Sequence, residues 1–185
     1  KPNIKTTIAY REALERLWLI DELPAWLGGE NYYARLKKTP KHYMADPAFA
    51  VNLLDIGVSE LLGKGRRVNE TAFDSTYGNI IGRLFESLVY QSLKVFAMVN
   101  EAEVFYFHTH NGSREIDFIV TKGARTVAIE VKAAPDVSDG DVRHLLWLRD
   151  AMAGKLDDML AITTGPVAYR RSDGVAVVPA ALFGS

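Results

Sequence analysis

Within residues 114–133, REIDFIVTKGARTVAIEVKA, two carboxylates and an ammonium are spaced so that they can meet: Asp117, Glu130 and Lys132. The stretch is two alternating runs, REIDFIV and TVAIEVK, joined through Lys122–Arg125 with Gly123 as the turn residue, a pattern that predicts an antiparallel hairpin. With Val120 opposite Val127, Asp117 falls directly opposite Glu130. Strand side chains alternate faces, so Asp117, Glu130 and Lys132 are expected on one face and Ile116, Phe118, Val120, Ile129 and Val131 on the other. Opposed residues stand about 5 Å apart, where two carboxylates repel by roughly 3 kcal/mol at an effective dielectric of about 20. Something positive must therefore sit between them. Lys132 is one candidate, and a divalent cation with hard oxygen ligands is the other. A solvated face with an ordinary lysine–glutamate pair is the plain alternative.

The elements that position these groups belong to a chain of 185 residues, 48% of them hydrophobic. That is enough for a real core in one domain, or in one domain with a small appendage. A formal net charge of -1 gives no bulk attraction to nucleic acid, so any such contact must come from a local cluster. The absence of cysteine excludes disulfides, thiolate metal sites and cysteine nucleophiles, and fits a cytoplasmic setting. No apolar run reaches membrane-spanning length and no charged-then-apolar leader opens the chain, so neither a span nor a signal peptide is expected. A start at Lys1 rather than Met suggests a piece of a longer protein.

Thr6 and Thr7 are expected to cap a helix over 8–19, where Ile8, Leu14, Leu17 and Trp18 recur at helical spacing before LIDELPAW ends at Pro24. Gly28 and Gly29 break the pattern, and NYYARLKKTPKHYMAD reads as an extended ribbon turning near Thr39 and Pro40. A helix followed by a basic ribbon is what a winged-helix module looks like. Residues 47–62 are expected to be helical and GKGRRVNE (63–70) to be a loop, which divides the chain into 1–68 and 69–185. Over 76–100, Ile80, Ile81, Leu84, Phe85, Leu88, Val89, Leu93 and Phe96 make the broad stripe of a long core helix, with Glu86 inside it. A strand at 103–109 and a turn at Asn111 and Gly112 lead into the hairpin. A helix capped by Ser138 or Asp139, a buried strand at 159–164 and a last hairpin around SDG complete the order.

An acid on a helix, an acid on the second strand and E-x-K on the third, here Glu86, Asp117 and Glu130-Val131-Lys132, resemble the PD-(D/E)XK nuclease superfamily. Across nearly the whole chain, LERLWLIDELPAW, TPKHYMADPAFA, GRLFESLV, REIDFIV and AIEVKA look like the uncharacterised C-terminal region of bacterial and archaeal AAA-type ATPases. The resemblance implies an α/β fold: a restriction-endonuclease-like core with a mixed sheet flanked by helices, preceded by a small winged-helix-like unit. It implies an AAA-type ATPase module in the same parent chain, since the G-x-x-x-x-G-K-[ST] of such a module is missing here. It also implies Mg²⁺-dependent hydrolysis of phosphodiester bonds in DNA. Asp117, Glu130 and the Val131 carbonyl would hold the metal, and Glu86 would reach it through water or receive a proton. Lys132 would orient or activate the attacking water and offset negative charge. Ile116 stands where the motif has proline, a variation the superfamily tolerates. Many members keep this geometry without the activity, so a catalytically inactive DNA- or protein-binding module coupled to the ATPase is the alternative.

Arg35, Lys37, Lys38, Lys41 and His42 form the densest basic cluster, with Tyr32, Tyr33 and Tyr43 interleaved. They are expected to contact nucleic-acid phosphates, against a plain reading as a ribbon edge kept from pairing by its lysines. His108 and His110 are not taken as a metal site, because no third ligand accompanies them. Trp18, Trp26 and Trp147 are read as core or interface aromatics.

Overall fold

The computed structural model describes residues 3–28, 38–58, 73–109 and 112–183, with side chains in the long helix from residue 80 onward. In chain order these form α1 (Ile4–Arg16), β1 (Ile20–Leu23), β2 (Lys41–Met44), α2 (Pro47–Leu53), α3 (Phe73–Val99), β3 (Glu103–His108), β4 (Glu115–Lys122), β5 (Arg125–Lys132), α4 (Asp139–Ala151), β6 (Asp158–Thr163), β7 (Tyr169–Arg170) and β8 (Ala176–Pro179). It is a mixed α/β architecture. Strands β3 to β8 build a six-stranded sheet in the order β3-β4-β5-β6-β8-β7, antiparallel through β5 and parallel from β5 to β6 and β6 to β8. The parallel step forces the chain to cross over, and α4 is the crossover. The final β7–β8 hairpin is seen as expected and lies at the far edge.

Each face of the sheet carries its own core. Val142, Leu145 and Leu148 of α4 cover Phe105, Ile116, Ile119, Ala128, Met159 and Ala161, while Val89, Tyr90 and Leu93 of α3 cover Phe118, Ile129, Val131 and Ile162. The hairpin therefore has no solvated face along its length, contrary to the expectation of one apolar and one polar side. Apart from Thr121, Lys122, Arg125 and Thr126 at the turn, its polar groups lie at the end of β4 and β5 nearest the helix α4 N-terminus.

A bulge sets that end. Phe105 pairs with Ile119 and Phe107 with Ile116, so Asp117 and Phe118 together oppose Tyr106 alone. The extra residue shifts the alternation. Ile116 thus packs on the α4 side and Phe118 on the α3 side, instead of sharing one face as strict alternation predicts.

The ribbon β1–β2 is antiparallel, with Asp21 opposite Tyr43, Glu22 opposite His42 and Leu23 opposite Lys41. Its Leu23 and the following Ala25 are buried in the core under α3. The chain then runs beside the outer edge of β3, where Trp26 N donates to Tyr106 O (2.7 Å) and Tyr106 N to Pro24 O (3.0 Å). An edge strand is covered in this way. The division expected at 68/69 falls outside the described residues.

Three helical expectations shift. Asn3 rather than Thr6 or Thr7 caps α1, its side chain accepting from Lys5 N at 3.1 Å. No residue of α1 is buried, and Trp18 is 79% exposed in the turn after the helix, where its φ of 59° takes it off the helical face. Asp46 and Pro47 start α2 as an N-cap and first-turn pair do, but α2 ends at Leu53, before Asp55 at φ 52°. Residues 59–62 of the expected 47–62 helix lie outside the described residues. Trp26 and Trp147 do pack, each against Phe107.

The loop that follows Lys132 is held by a close backbone approach. Thr164 N donates to Ala134 O at 3.1 Å, and a Cβ on Gly165 would stand 2.3 Å from Pro135 O. Gly165→Ala is expected to cost about 1–3 kcal/mol, because backbone must move to admit the methyl group. A lowered urea midpoint with an unchanged slope is the measurement that checks it.

Candidate active site

Asp117 occupies the bulge, and its position follows from where the β4–β5 ladder stops. The pairing runs from Lys122–Arg125 through Val120–Val127 to Phe118–Ile129, the register expected from the Gly123 turn. One step further, the Asp117 side chain takes over from the backbone: Oδ2 accepts from Val131 N at 2.8 Å. Burial pushes the Asp117 carboxyl well above the ordinary range, and the nearby Glu130 and Glu86 carboxylates add to the rise against the Val131 hydrogen bond and Lys41.

Glu130 and Lys132 follow on β5. Glu130 has only 10% of its side chain exposed, with Oε1 2.9 Å from Lys132 Nζ. Its other oxygen, Oε2, is buried and has no hydrogen-bond partner. Burial raises the Glu130 pKa, with Lys132 opposing and Glu115 and Glu86 assisting. For Lys132 burial acts downward, yet Glu130, Asp117 and Asp141 outweigh it and the pKa is raised. Lys132 therefore stays an ammonium at neutral pH. Asp141 Oδ1 lies 3.9 Å away on the first turn of α4, while its Oδ2 accepts from Ser138 N at 2.9 Å and Ser138 Oγ at 2.5 Å.

Glu86 approaches from α3. Its Oε1 accepts from Tyr43 Oη at 2.5 Å and lies 3.6 Å from Lys41 Nζ. Lys41 Nζ also pairs with Glu115 Oε1 at 2.5 Å. Burial and the Glu86 carboxylate drive the Tyr43 pKa far upward, so the hydroxyl keeps its proton and acts as a donor. Two clefts meet at Asp117 and Lys132. One, of about 430 Å³, is walled by Glu115, Glu130, Ser138, Asp141, Arg143 and His144. The other, of about 410 Å³, is walled by Gly82, Arg83, Glu86, Val131, Ala133 and Ala134.

A family described as a domain of unknown function, DUF4143, matches residues 81–183, more than half of the chain. The chain belongs to the DUF4143 family. A second domain of unknown function, DUF8612, matches residues 2–60. No curated protein matches. The crystal structure of protein VC1899 from Vibrio cholerae is similar at 18% identity and a TM-score of 0.35, over 94% of this chain and 46% of that one.

All four residues expected to carry chemistry, Glu86, Asp117, Glu130 and Lys132, lie in the DUF4143 region and border the two clefts. The three acids do not close to within 4.8 Å of one another. Each is held by its own partner: Asp117 by Val131 N, Glu130 by Lys132 and Glu86 by Tyr43. Sequence reasoning does not single out Glu115, and it names Tyr43 only as an aromatic interleaved in the basic cluster. Glu115 had a signal, since it stands two residues before Asp117 and shares its side of the strand.

Of the basic group expected on nucleic acid, Arg35 and Lys37 lie outside the described residues. Lys38 Nζ donates to His108 O at 3.1 Å, whereas Lys41 turns to Glu86 and Glu115. His42 points the other way, with Nε2 3.4 Å from Glu15 Oε1 and 3.2 Å from Glu22 Oε1. The described members thus do not share one face. Glu15, Glu22 and His42 form the only metal-compatible trio within 4.8 Å among the described residues. It joins α1, β1 and β2, and no sequence spacing announces it. His108 stacks on Tyr106 at 5.3 Å between ring centroids, and His110 lies outside the described residues.

Proposed function

We propose that this chain is a Mg²⁺-dependent nuclease-like domain of PD-(D/E)XK type that hydrolyses phosphodiester bonds in DNA. In this reading α1 and the β1–β2 ribbon are its winged-helix-like unit, and an AAA-type ATPase module accompanies it in the parent chain. The observation that carries the reading is the buried, unpartnered Oε2 of Glu130 beside the half-buried Asp117 carboxyl. An unsatisfied buried acceptor costs about 1–3 kcal/mol, and each such atom in a folded protein calls for an explanation. Hard carboxylate oxygens at a solvent-connected cleft fit Mg²⁺. Asp117, Glu130 and the Val131 carbonyl would hold it, with Glu86 one water further out. Bound there, Mg²⁺ would offset charge on phosphate oxygens and acidify water.

The chain's own groups divide the remaining work. Lys132 keeps its proton, so it offsets developing charge and donates a hydrogen bond rather than serving as the base. Glu86, at the mouth of the α3-side cleft, receives the proton that leaves.

The test is cleavage of plasmid and linear DNA by the purified chain with and without Mg²⁺, beside Asp117→Ala and Glu130→Ala. Each variant is expected to lose about 10³-fold of the Mg²⁺-dependent rate, on the scale of removing one charge-stabilising group. Equal cleavage by both variants and the parent chain would overturn the assignment. Salt-sensitive DNA binding with no cleavage and no metal requirement would favour the inactive binding module instead.

A further inference from the structure

We infer that Lys41 and Tyr43, both from the N-terminal ribbon, are positioning residues of the site, so that its acid set is complete only when the ribbon is docked on α3. The inference rests on the nuclease reading and deepens it. Lys41 and Tyr43 alternate on β2 and share the face that carries Leu23 and Asp21, opposite the face of Glu22 and His42.

That face is seated by polar side chains from successive turns of α3. Tyr90 Oη donates to Glu22 O at 3.0 Å, Gln91 Nε2 to Ala45 O at 3.0 Å, and Lys94 pairs with Asp21. Tyr106, the residue facing the bulge, donates to Thr39 O at 2.6 Å and sets its ring 5.5 Å from Lys41 Nζ. The ribbon is thereby tied both to the helix that carries Glu86 and to the strand beside Asp117. Its two side chains then converge on one atom, Glu86 Oε1. Lys41 goes on to Glu115, which walls the opposite cleft with Asp117 and Glu130.

A glutamate at a cleft mouth has three rotatable bonds and is repelled by Asp117 and Glu130. The Tyr43 hydrogen bond and the Lys41 ion pair, both at Oε1, fix its rotamer against that repulsion. The ammonium of Lys41 also lies between Glu86 and Glu115 as Lys132 lies between Glu130 and Asp141. Each wall of the site has its own cation, and one of them comes from the segment that matches a different family.

The test compares the full chain with Lys41→Met, Lys41→Arg, Tyr43→Phe, Glu86→Gln and the Lys41→Met/Glu86→Gln double variant. The readouts are kcat and KM on DNA, Mg²⁺ affinity by calorimetry, and thermal stability. Lys41→Met is expected to lower kcat about 10-fold or more and to leave KM within about twofold, the split expected for a residue that shapes the reacting centre. Lys41→Arg should recover most of the loss, and Tyr43→Phe should show a smaller fall in kcat. Because both act through Glu86, Lys41→Met should add almost nothing in the Glu86→Gln background. Full multiplication of the two losses would overturn the inference. So would a Lys41→Met effect confined to KM and salt dependence, which would make Lys41 a simple phosphate contact. Unchanged kcat in Lys41→Met beside an active parent chain would sink the inference alone. A parent chain that neither binds Mg²⁺ nor cleaves would remove the nuclease reading and this inference with it.

Discussion

Lys132→Met is expected to lower kcat for DNA cleavage about 10³-fold, the scale seen when one preorganised donor to a developing charge is removed, while Mg²⁺ binds more tightly. Both effects have one origin. Lys132 Nζ sits 2.9 Å from Glu130 Oε1 and 3.9 Å from Asp141 Oδ1, half-buried at 32% exposure. Burial alone would ease its proton off, but Glu130 and Asp117 hold it on. The group is thus a fixed positive charge against the carboxylates that would hold a cation. Methionine keeps the length and apolar stem and removes the charge. Without the ammonium, Glu130 offers a cation more negative potential and offers a phosphate less positive potential. Arginine would keep the charge but bring a planar fork where a point charge stood, so Lys132→Arg should recover only part of the rate. A variant whose kcat stays within about threefold of the parent chain has lost no interaction that belongs to the transition state. That outcome, or Mg²⁺ binding that weakens in Lys132→Met, would show that Lys132 does not play this part.

The register of β4 on β5 was readable because a short turn leaves little freedom. Gly123 adopts φ 58°, Lys122 pairs with Arg125, and every later pair follows. The long α3 stripe and the crossover helix α4 were readable for the same kind of reason, since their apolar periodicity is local. The bulge at Asp117 and Phe118 was not. Alternation continues through REIDFIV on paper, and no glycine marks the insertion. It exists opposite Tyr106, whose backbone is engaged by Pro24 and Trp26 and whose hydroxyl reaches Thr39. Those partners are distant in sequence. The partners of Lys41 were hidden for a related reason, because a lysine among lysines shows nothing of the two glutamates it pairs with. Only the pairing of Leu23 with Lys41, and the burial of Leu23 under α3, turn that side chain toward Glu86. The stripe of α1 shows the converse: Ile8, Leu14 and Leu17 have helical spacing, yet none of them is buried among the described residues.

Asp117→Asn is expected to stabilise the metal-free protein at neutral pH by roughly 1–3 kcal/mol, the scale on which protein mutants register a poorly compensated buried polar group. For a chain of this size that is a rise in Tm of roughly 3–10 °C. Asparagine keeps a carbonyl oxygen for Val131 N, which Asp117 Oδ2 now serves at 2.8 Å, and it removes the charge that burial, Glu130 and Glu86 disfavour. The sign follows from proton counts. The folded-state pKa of Asp117 is raised, so between the ordinary aspartate value and that raised value the folded chain binds more protons than the unfolded one. Its contribution is therefore fully present below about pH 4, the ordinary aspartate value, and is lost as pH rises through the window. The advantage of Asp117→Asn should shrink toward zero on acidification and reach its full size above the raised pKa. Mg²⁺ should invert the comparison, because a ligand at about 100 times its Kd adds roughly 2.7 kcal/mol to the form that binds it. The parent chain should gain that stability and Asp117→Asn little of it. Thermal melts of both proteins, in chelator and in Mg²⁺, measure all four corners. Asp117→Asn melting below the parent chain in chelator, or an equal Mg²⁺ shift in the two, would mean that Asp117 is neither the strained charge nor the ligand it is taken to be.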